Sequence, residues 1–264
     1  MKKQIIFTFL VFLISITTFP QAKNVIWSED FEGNWSSDWY TDFGVWQVGM
    51  PTIGPMGAHG GNNCATVGLN SNYPKGFESR LIRINTFTIP DSTQNPRLRF
   101  WHWWSIGGEC NGKVQLKVNG SSTWINISPD YTGHGGNIWN YAFVDLSAYA
   151  NKTVQIALYF YSSWGTWAGQ GPGWYVDDIS LETGPIIFSL PETFEAGMGN
   201  WYNDFGNWQV GNPTIGPNGA HNGNNCATVG LNGNYLKGFE SRLISPSFTI
   251  PDSTQNPRLR FWHW

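Results

Sequence analysis

Charge is scarce in this chain. Only 12% of its 264 residues are charged, against about 25% in an average soluble protein. Net charge is −3 and no basic run occurs, so a nucleic-acid surface is not indicated. After the first 22 residues no stretch is long and apolar enough to span a membrane. No window of twelve or more residues carries helical period, although Asp145 to Tyr149 has room for one turn. Catalytic motifs are missing as well. There is no His-Glu-x-x-His, no Gly-x-Ser-x-Gly, and Glu29 and Glu32 do not make the close carboxylate strand of a jelly-roll glucanase. The five His are scattered. His102 reads as a packed imidazole and His59 and His134 as loop residues. The expectation is a non-enzyme.

What the chain has in abundance is rings and glycine. Aromatic residues are 16%, with 16 Trp and 31 Gly. So many rings bury a large apolar area, which excludes a disordered composition. The chain also says itself twice. Gly44 to Pro55 returns as Gly206 to Pro217, Asn62 to Asn70 as Asn224 to Asn232, and Phe87 to Trp103 letter for letter as Phe248 to Trp264. A period of about 162 residues is a whole domain, not a solenoid unit.

Met1-Lys-Lys3, the apolar run Ile5 to Phe19 and the closing Pro20-Gln-Ala22 read as a secretory signal peptide over 1–22, leaving no membrane span after cleavage. The expected address is secreted or cell surface. A first domain follows over 23–182, a short linker over 183–185, and the N-terminal half of a second, truncated copy over 186–264. Period-2 alternation dominates. Val114, Leu116 and Val118 alternate with polar neighbours, as do Val154 to Phe160. Leu98 to Trp103 is a strand with rings on both faces. Further strands are expected at 46–48, 64–69, 79–84, 123–127, 141–146 and 173–181, separated by Gly, Pro and Asn. About ten short strands predict an all-β, antiparallel β-sandwich with a jelly roll as its arrangement.

Two signatures bracket the first domain: Glu29-Asp-Phe-Glu32 at its start and Gly173-Trp-Tyr-Val-Asp-Asp-Ile-Ser-Leu181 at its end. Between them stand Asn63-Cys-Ala-Thr66, Gly68-Leu69, Asn72-Tyr73, Leu98 to Trp103 and Val144 to Tyr149. In this order the residues resemble the MAM-like jelly-roll domains of secreted bacterial proteins. These include accessory domains of immune-inhibitor-A-type metallopeptidases and the group called choice-of-anchor J. The resemblance implies a concanavalin-like sandwich with a non-catalytic, extracellular role in adhesion, recognition or substrate targeting. It also implies a structural calcium ion between the first and last strands, with Glu32 and Asp177 or Asp178 at the matching positions; the alternative is a hydrogen-bonded clasp. Calcium takes six to eight oxygens, which two carboxylates, loop carbonyls and water supply. Alternation puts Asp177 and Asp178 on opposite strand faces, so one of them is expected as the direct ligand.

Trp164 and Trp167 fall in a loop before the last strand, and Trp139 in another Gly-rich loop. Such rings either stack on a ligand or cap the open ends of the sandwich. Three Cys in a secreted chain leave one without a partner. The expected pair is Cys64–Cys110, closing a loop of about 46 residues and stabilising by roughly 4 kcal/mol as an upper figure; the alternative is two buried thiols. The leading function is an interaction or adhesion module for an extracellular glycan or protein ligand. The alternatives are a carbohydrate-binding module, separable by whether Trp164 and Trp167 are exposed, and an accessory segment of a truncated secreted hydrolase such as a peptidase.

Overall fold

The strands that alternate most regularly in sequence form the centre of both sheets. A computed structural model describes residues 23–238 and 240–264; the expected signal peptide, 1–22, lies outside them. Twelve strands build the first domain: β1 (Asn24–Glu29), β2 (Trp39–Thr41), β3 (Gln47–Gly49), β4 (Cys64–Thr66), β5 (Phe77–Arg83), β6 (Phe87–Thr88), β7 (Arg97–Ser105), β8 (Asn111–Val118), β9 (Ile125–Asn126), β10 (Asn140–Asp145), β11 (Thr153–Ser162) and β12 (Gly173–Thr183). One sheet runs β10-β7-β12-β4-β3, with β1 sharing the β4 edge of β12. The other runs β2-β5-β11-β8-β9, with β6 also on β11. Every pairing is antiparallel. The chain is an all-β sandwich of the jelly-roll kind. The one-turn segment anticipated near residue 147 is the 3-10 turn Ser147–Tyr149.

Period two decides which rings fill the interior. From β7, Leu98, Phe100 and Trp104 join the core with Trp174, Val176, Ile179 and Leu181 of β12. Val114 and Leu116 of β8 and Val154, Ile156, Leu158 and Phe160 of β11 meet them from the opposite sheet. His102 faces the same way. Trp174 Nε1 donates to its Nδ1 at 3.3 Å, and burial pushes the imidazole down to about 3, so it is neutral and packed. The alternate residues, Trp101 and Trp103 on β7 and Tyr175 and Asp177 on β12, take the outer face of the first sheet.

Residues 186–264 repeat the pairings of the first domain's opening half. β13 (Tyr202–Asn203) pairs with β16 (Leu243–Ile244), and β14 (Gln209–Gly211) with β15 (Cys226–Thr228). Gln209 faces Thr228 as Gln47 faces Thr66. Arg97 to Trp103 is a ladder between β10 and β12; its copy, Arg258 to Trp264, has no such neighbours, forms no strand and is exposed. This second unit packs against the outer face beside β10. The buried Arg99 guanidinium lies over the Tyr141 ring, 3.8 Å from its centroid, and its Nη2 donates to Trp201 O at 3.0 Å. Tyr202 stacks on Phe143, and Gly206 N donates to Gly135 O at 2.6 Å.

Candidate functional site

Three places on the first domain hold the residues singled out by sequence. At the first, a loop between β3 and β4 is clasped by carboxylates. Glu32 Oε1 accepts the N–H groups of Asn62 at 2.8 Å and Asn63 at 2.6 Å. Asp177 Oδ2 accepts those of His59 at 2.9 Å and Gly60 at 3.1 Å, while its Oδ1 takes Asp178 N at 2.8 Å. Asp178 Oδ2 meets His59 Nδ1 at 2.6 Å. Gly61 has φ +57 and packs against the Glu32 carboxyl so closely that a Cβ there would collide with it. Only glycine lets the backbone approach the acid this way.

Alternation did not anticipate how Asp178 is placed. Between Trp101 and Arg99 of β7 there is one residue, but between their partners Asp177 and Ser180 there are two. Asp178 is the extra one, a β-bulge residue with φ +47. The bulge resets the phase, so Asp177 stays outward, Ile179 returns to the core, and Asp178 swings to His59. Glu32, Asp177 and Asp178 therefore hold one loop together. Glu32 and Asp177 do so by accepting backbone N–H groups, and Asp178 by pairing with the His59 ring. Among the described residues no group of three or more His, Cys, Asp or Glu gathers to hold a metal. Burial pushes the Asp177 carboxyl up to about 7, assisted by the Asp178 charge and opposed by the N–H donors.

His59, expected as a loop residue, also belongs to this place. It lies on Trp101 and edge-on to Trp139, with ring centroids 6.0 Å apart for the latter pair. A lone His among glycines gives no sign of this, because the signal is the strand ring it lands on.

The second place is one open end of the sandwich. Trp164 is 81% and Trp167 82% exposed on the β11–β12 loop. The Trp164 ring lies across Gly76, whose φ of +74 and missing Cβ make room for it. The Trp164 ring thus rests on the domain without being covered by it. Glu109 and Ser163 brace the loop, with Ser163 Oγ donating to Glu109 Oε2 at 3.2 Å and accepting from Gly165 N at 2.9 Å.

The third is a cleft of about 460 Å³ on the outer face of the first sheet, lined by Gly54 to Ala58, Trp103, Asn137 and Trp139. It brings the half-buried Trp139 to the clasped loop and not to Trp164 and Trp167.

The cysteines correct one expectation. Cys64 and Cys110 are both free and buried, and the Cys64–Cys110 bond is absent from the structure. Ala65 enters the core, so its neighbour Cys64 points outward to Trp103 and Tyr175. Cys110 sits in the core instead, its Sγ 3.8 Å from Ser162 Oγ and 3.7 Å from Gly169 O. The first sheet separates the two sulfurs.

No family model matches the chain. It is 26% identical over 159 residues to Bacillopeptidase F of Bacillus subtilis (strain 168), which covers 59% of this chain and spans a tenth of that relative's length. Among solved structures, TmCBM61 in complex with beta-1,4-galactotriose covers 58% of this chain and 97% of its own, at 15% identity and a TM-score of 0.37. The CBM22-1 xylan-binding domain of Paenibacillus barcinonensis Xyn10C covers 63% and 99%, at 10% identity and 0.40. The K3 cleaved adhesin domain of Lys-gingipain from Porphyromonas gingivalis w83 covers 60% and 98%, at 16% identity and 0.38. At these TM-scores the likenesses bear on neither site nor ligand. No helix among the described residues is long and apolar enough to cross a membrane.

Proposed function

We propose that the chain is a secreted, non-catalytic interaction module of the MAM-like kind whose ligand is a glycan, held on Trp164 and Trp167. The observation that carries this reading is the exposure of those two rings on a braced loop. Each exposed indole is a flat apolar surface that matches the C–H face of a sugar, and Trp164 is already seated on Gly76. Rings that merely capped the sandwich would be covered. Stacking of this kind contributes about 1–3 kcal/mol per ring, by analogy with bases on aromatic side chains.

The test is retention of residues 23–264 on a panel of insoluble polysaccharides, with Trp164→Ala and Trp167→Ala beside the native chain. Each substitution is expected to weaken retention by about tenfold or more, while leaving the thermal midpoint in place. Retention that neither alters overturns the ring-loop reading.

The match to a stretch of Bacillopeptidase F favours a second reading, an accessory segment of a secreted peptidase. Fusing residues 23–264 to a reporter peptidase distinguishes the two. An accessory role in proteolysis predicts faster cleavage of a protein substrate with no dependence on Trp164.

A further inference from the structure

We propose that the cleft over Trp103 is a second binding site, one that takes a single uncharged pyranose ring. The ligand class rests on the glycan reading above; the position does not, because the cleft shares no residue with the Trp164–Trp167 loop.

At about 460 Å³ the cleft lies within the range of small-molecule sites, roughly 300–1,000 Å³. Its lining is mostly apolar: Pro55, Met56 and Ala58 on one wall, Trp139 on the other and Trp103 beneath. Besides the indole N–H groups of its two Trp, Asn137 is the polar side chain that lines it, and its amide suits a hydroxyl. Asn137 is exposed and offers an amide that both donates and accepts. Trp103 is 5% exposed, and its Nε1 is buried with no hydrogen-bond partner. With no accessible surface at that nitrogen, Trp103 gives the cleft an apolar floor and leaves the polar contact to Asn137. No charged side chain lines the cleft, which argues against a uronic acid, a phosphate or a cationic amine.

Both walls are held in place before any ligand arrives. On one side His59 N and Gly60 N are bound to Asp177, and the His59 ring is wedged between Trp101 and Trp139. On the other, Gly135 O accepts from Gly206 N and from Asn140 Nδ2, and Ile138 O also accepts from Asn140 Nδ2. Asn203 Nδ2 in turn donates to Asn140 Oδ1. The second repeat thus pins one wall and the acid clasp the other. A site fixed in advance loses little freedom on binding. Met56, fully exposed at the rim, is the flexible side chain able to fold over a guest.

The experiment uses residues 23–264 and the methyl β-glycosides of glucose, galactose, mannose and xylose as probes, read by saturation-transfer NMR across a millimolar titration. At least one glycoside is expected to bind saturably. Asn137→Ala, at an exposed position, is expected to weaken it at least tenfold, and Trp139→Ala to abolish it. The Trp164→Ala/Trp167→Ala double variant is expected to bind that glycoside as the native chain does, even where it has lost retention on polysaccharide. The proposal is overturned if no glycoside binds, if Asn137→Ala changes nothing, or if the loop double variant loses glycoside and polysaccharide together. Polysaccharide retention unaffected by the double variant counts against the loop reading alone, and Asn137→Ala still decides the cleft.

Discussion

His59 lies flat on Trp101, with 3.9 Å between ring centroids and 12° between planes. The second copy repeats the stack, His221 on Trp262, at 4.0 Å and 11°. Residues 186–264 contain no counterpart of Asp177 or Asp178, yet Glu195 Oε1 accepts Asn224 N at 2.9 Å and Asn225 N at 2.8 Å. The loop therefore takes its shape from the glutamate and the ring pair, and the aspartates add a lock to it.

That division sets an order of effects. Glu32→Ala removes the acceptor of two backbone donors and is expected to cost about 1 kcal/mol, the usual worth of such a bond near solvent. Asp178→Asn, which keeps an oxygen for His59, is expected to cost less. Urea unfolding of residues 23–264 measures both. The reverse order would make the aspartate the primary clasp.

The raised Asp177 carboxyl fixes a pH window. Its folded value of about 7 exceeds the ordinary 3.8, so the folded chain keeps a proton that the unfolded chain gives up. Stability is then greatest below about pH 4, falls as pH rises to about 7, and levels off above it, by about 2–4 kcal/mol in all. Asp177→Asn is expected to flatten this part of the pH–stability curve. A calcium ion at the clasp would favour the carboxylate and flatten it too. With N–H donors filling the site, millimolar calcium or chelator is expected to leave the slope unchanged. Flattening by calcium that Glu32→Gln abolishes would put the ion there.

For the thiols, denatured protein from oxidising medium is expected to show three free groups. In the native state a water-soluble thiol reagent is expected to label Cys226, which is half-buried, well ahead of Cys64 and Cys110. Burial raises the Cys64 thiol far above its ordinary range, which slows it further. One free thiol after unfolding would restore the disulfide.

Gly76→Ala addresses the ring seat. Its φ of +74 disfavours any side chain, and a Cβ there enters the Trp164 ring. The substitution is expected to destabilise by about 1 kcal/mol or more and to displace Trp164, seen as a change in tryptophan emission. Unaltered emission would mean the ring has no fixed seat.

The long strands were legible because alternation marks most of each one, and in β12 it holds on either side of the bulge. β7, β8, β11 and β12 all contain the stretches that alternation marked out, and each runs a little longer. β1 was not legible: Val25 and Ile26 are exposed and Trp27 alone of its large side chains packs against the core, so the segment carries no run of alternation, and its pairing with β12 makes it a strand. β2 and β6, of three and two residues, are too short to carry a period. In the candidate site, Glu32 and the aspartates were found from the resemblance to MAM-like domains, at the positions that match its two bracketing signatures. Their geometry was hidden, because a single left-handed residue, Asp178, overturns the face assignment of its neighbours. The same limit applies to Cys64 and Cys110: pairing them by count ignored that Cys64 and Ala65 must face opposite ways.

One feature of the packing bears on how such chains behave at high concentration. β10 is the last strand of its sheet, and a bare strand edge is a template on which further chains zip into fibres. Here the next repeat covers it without continuing the ladder. Tyr141 N, an edge donor, is plugged by the Asn203 side chain at 3.0 Å, and Gly206 bridges only at Gly136. A side chain cannot pass the pattern of backbone bonds on to a third strand. In a tandem array each repeat would in this way stopper the β10 edge of the one before it, so that lengthening the chain keeps that edge closed to a third strand.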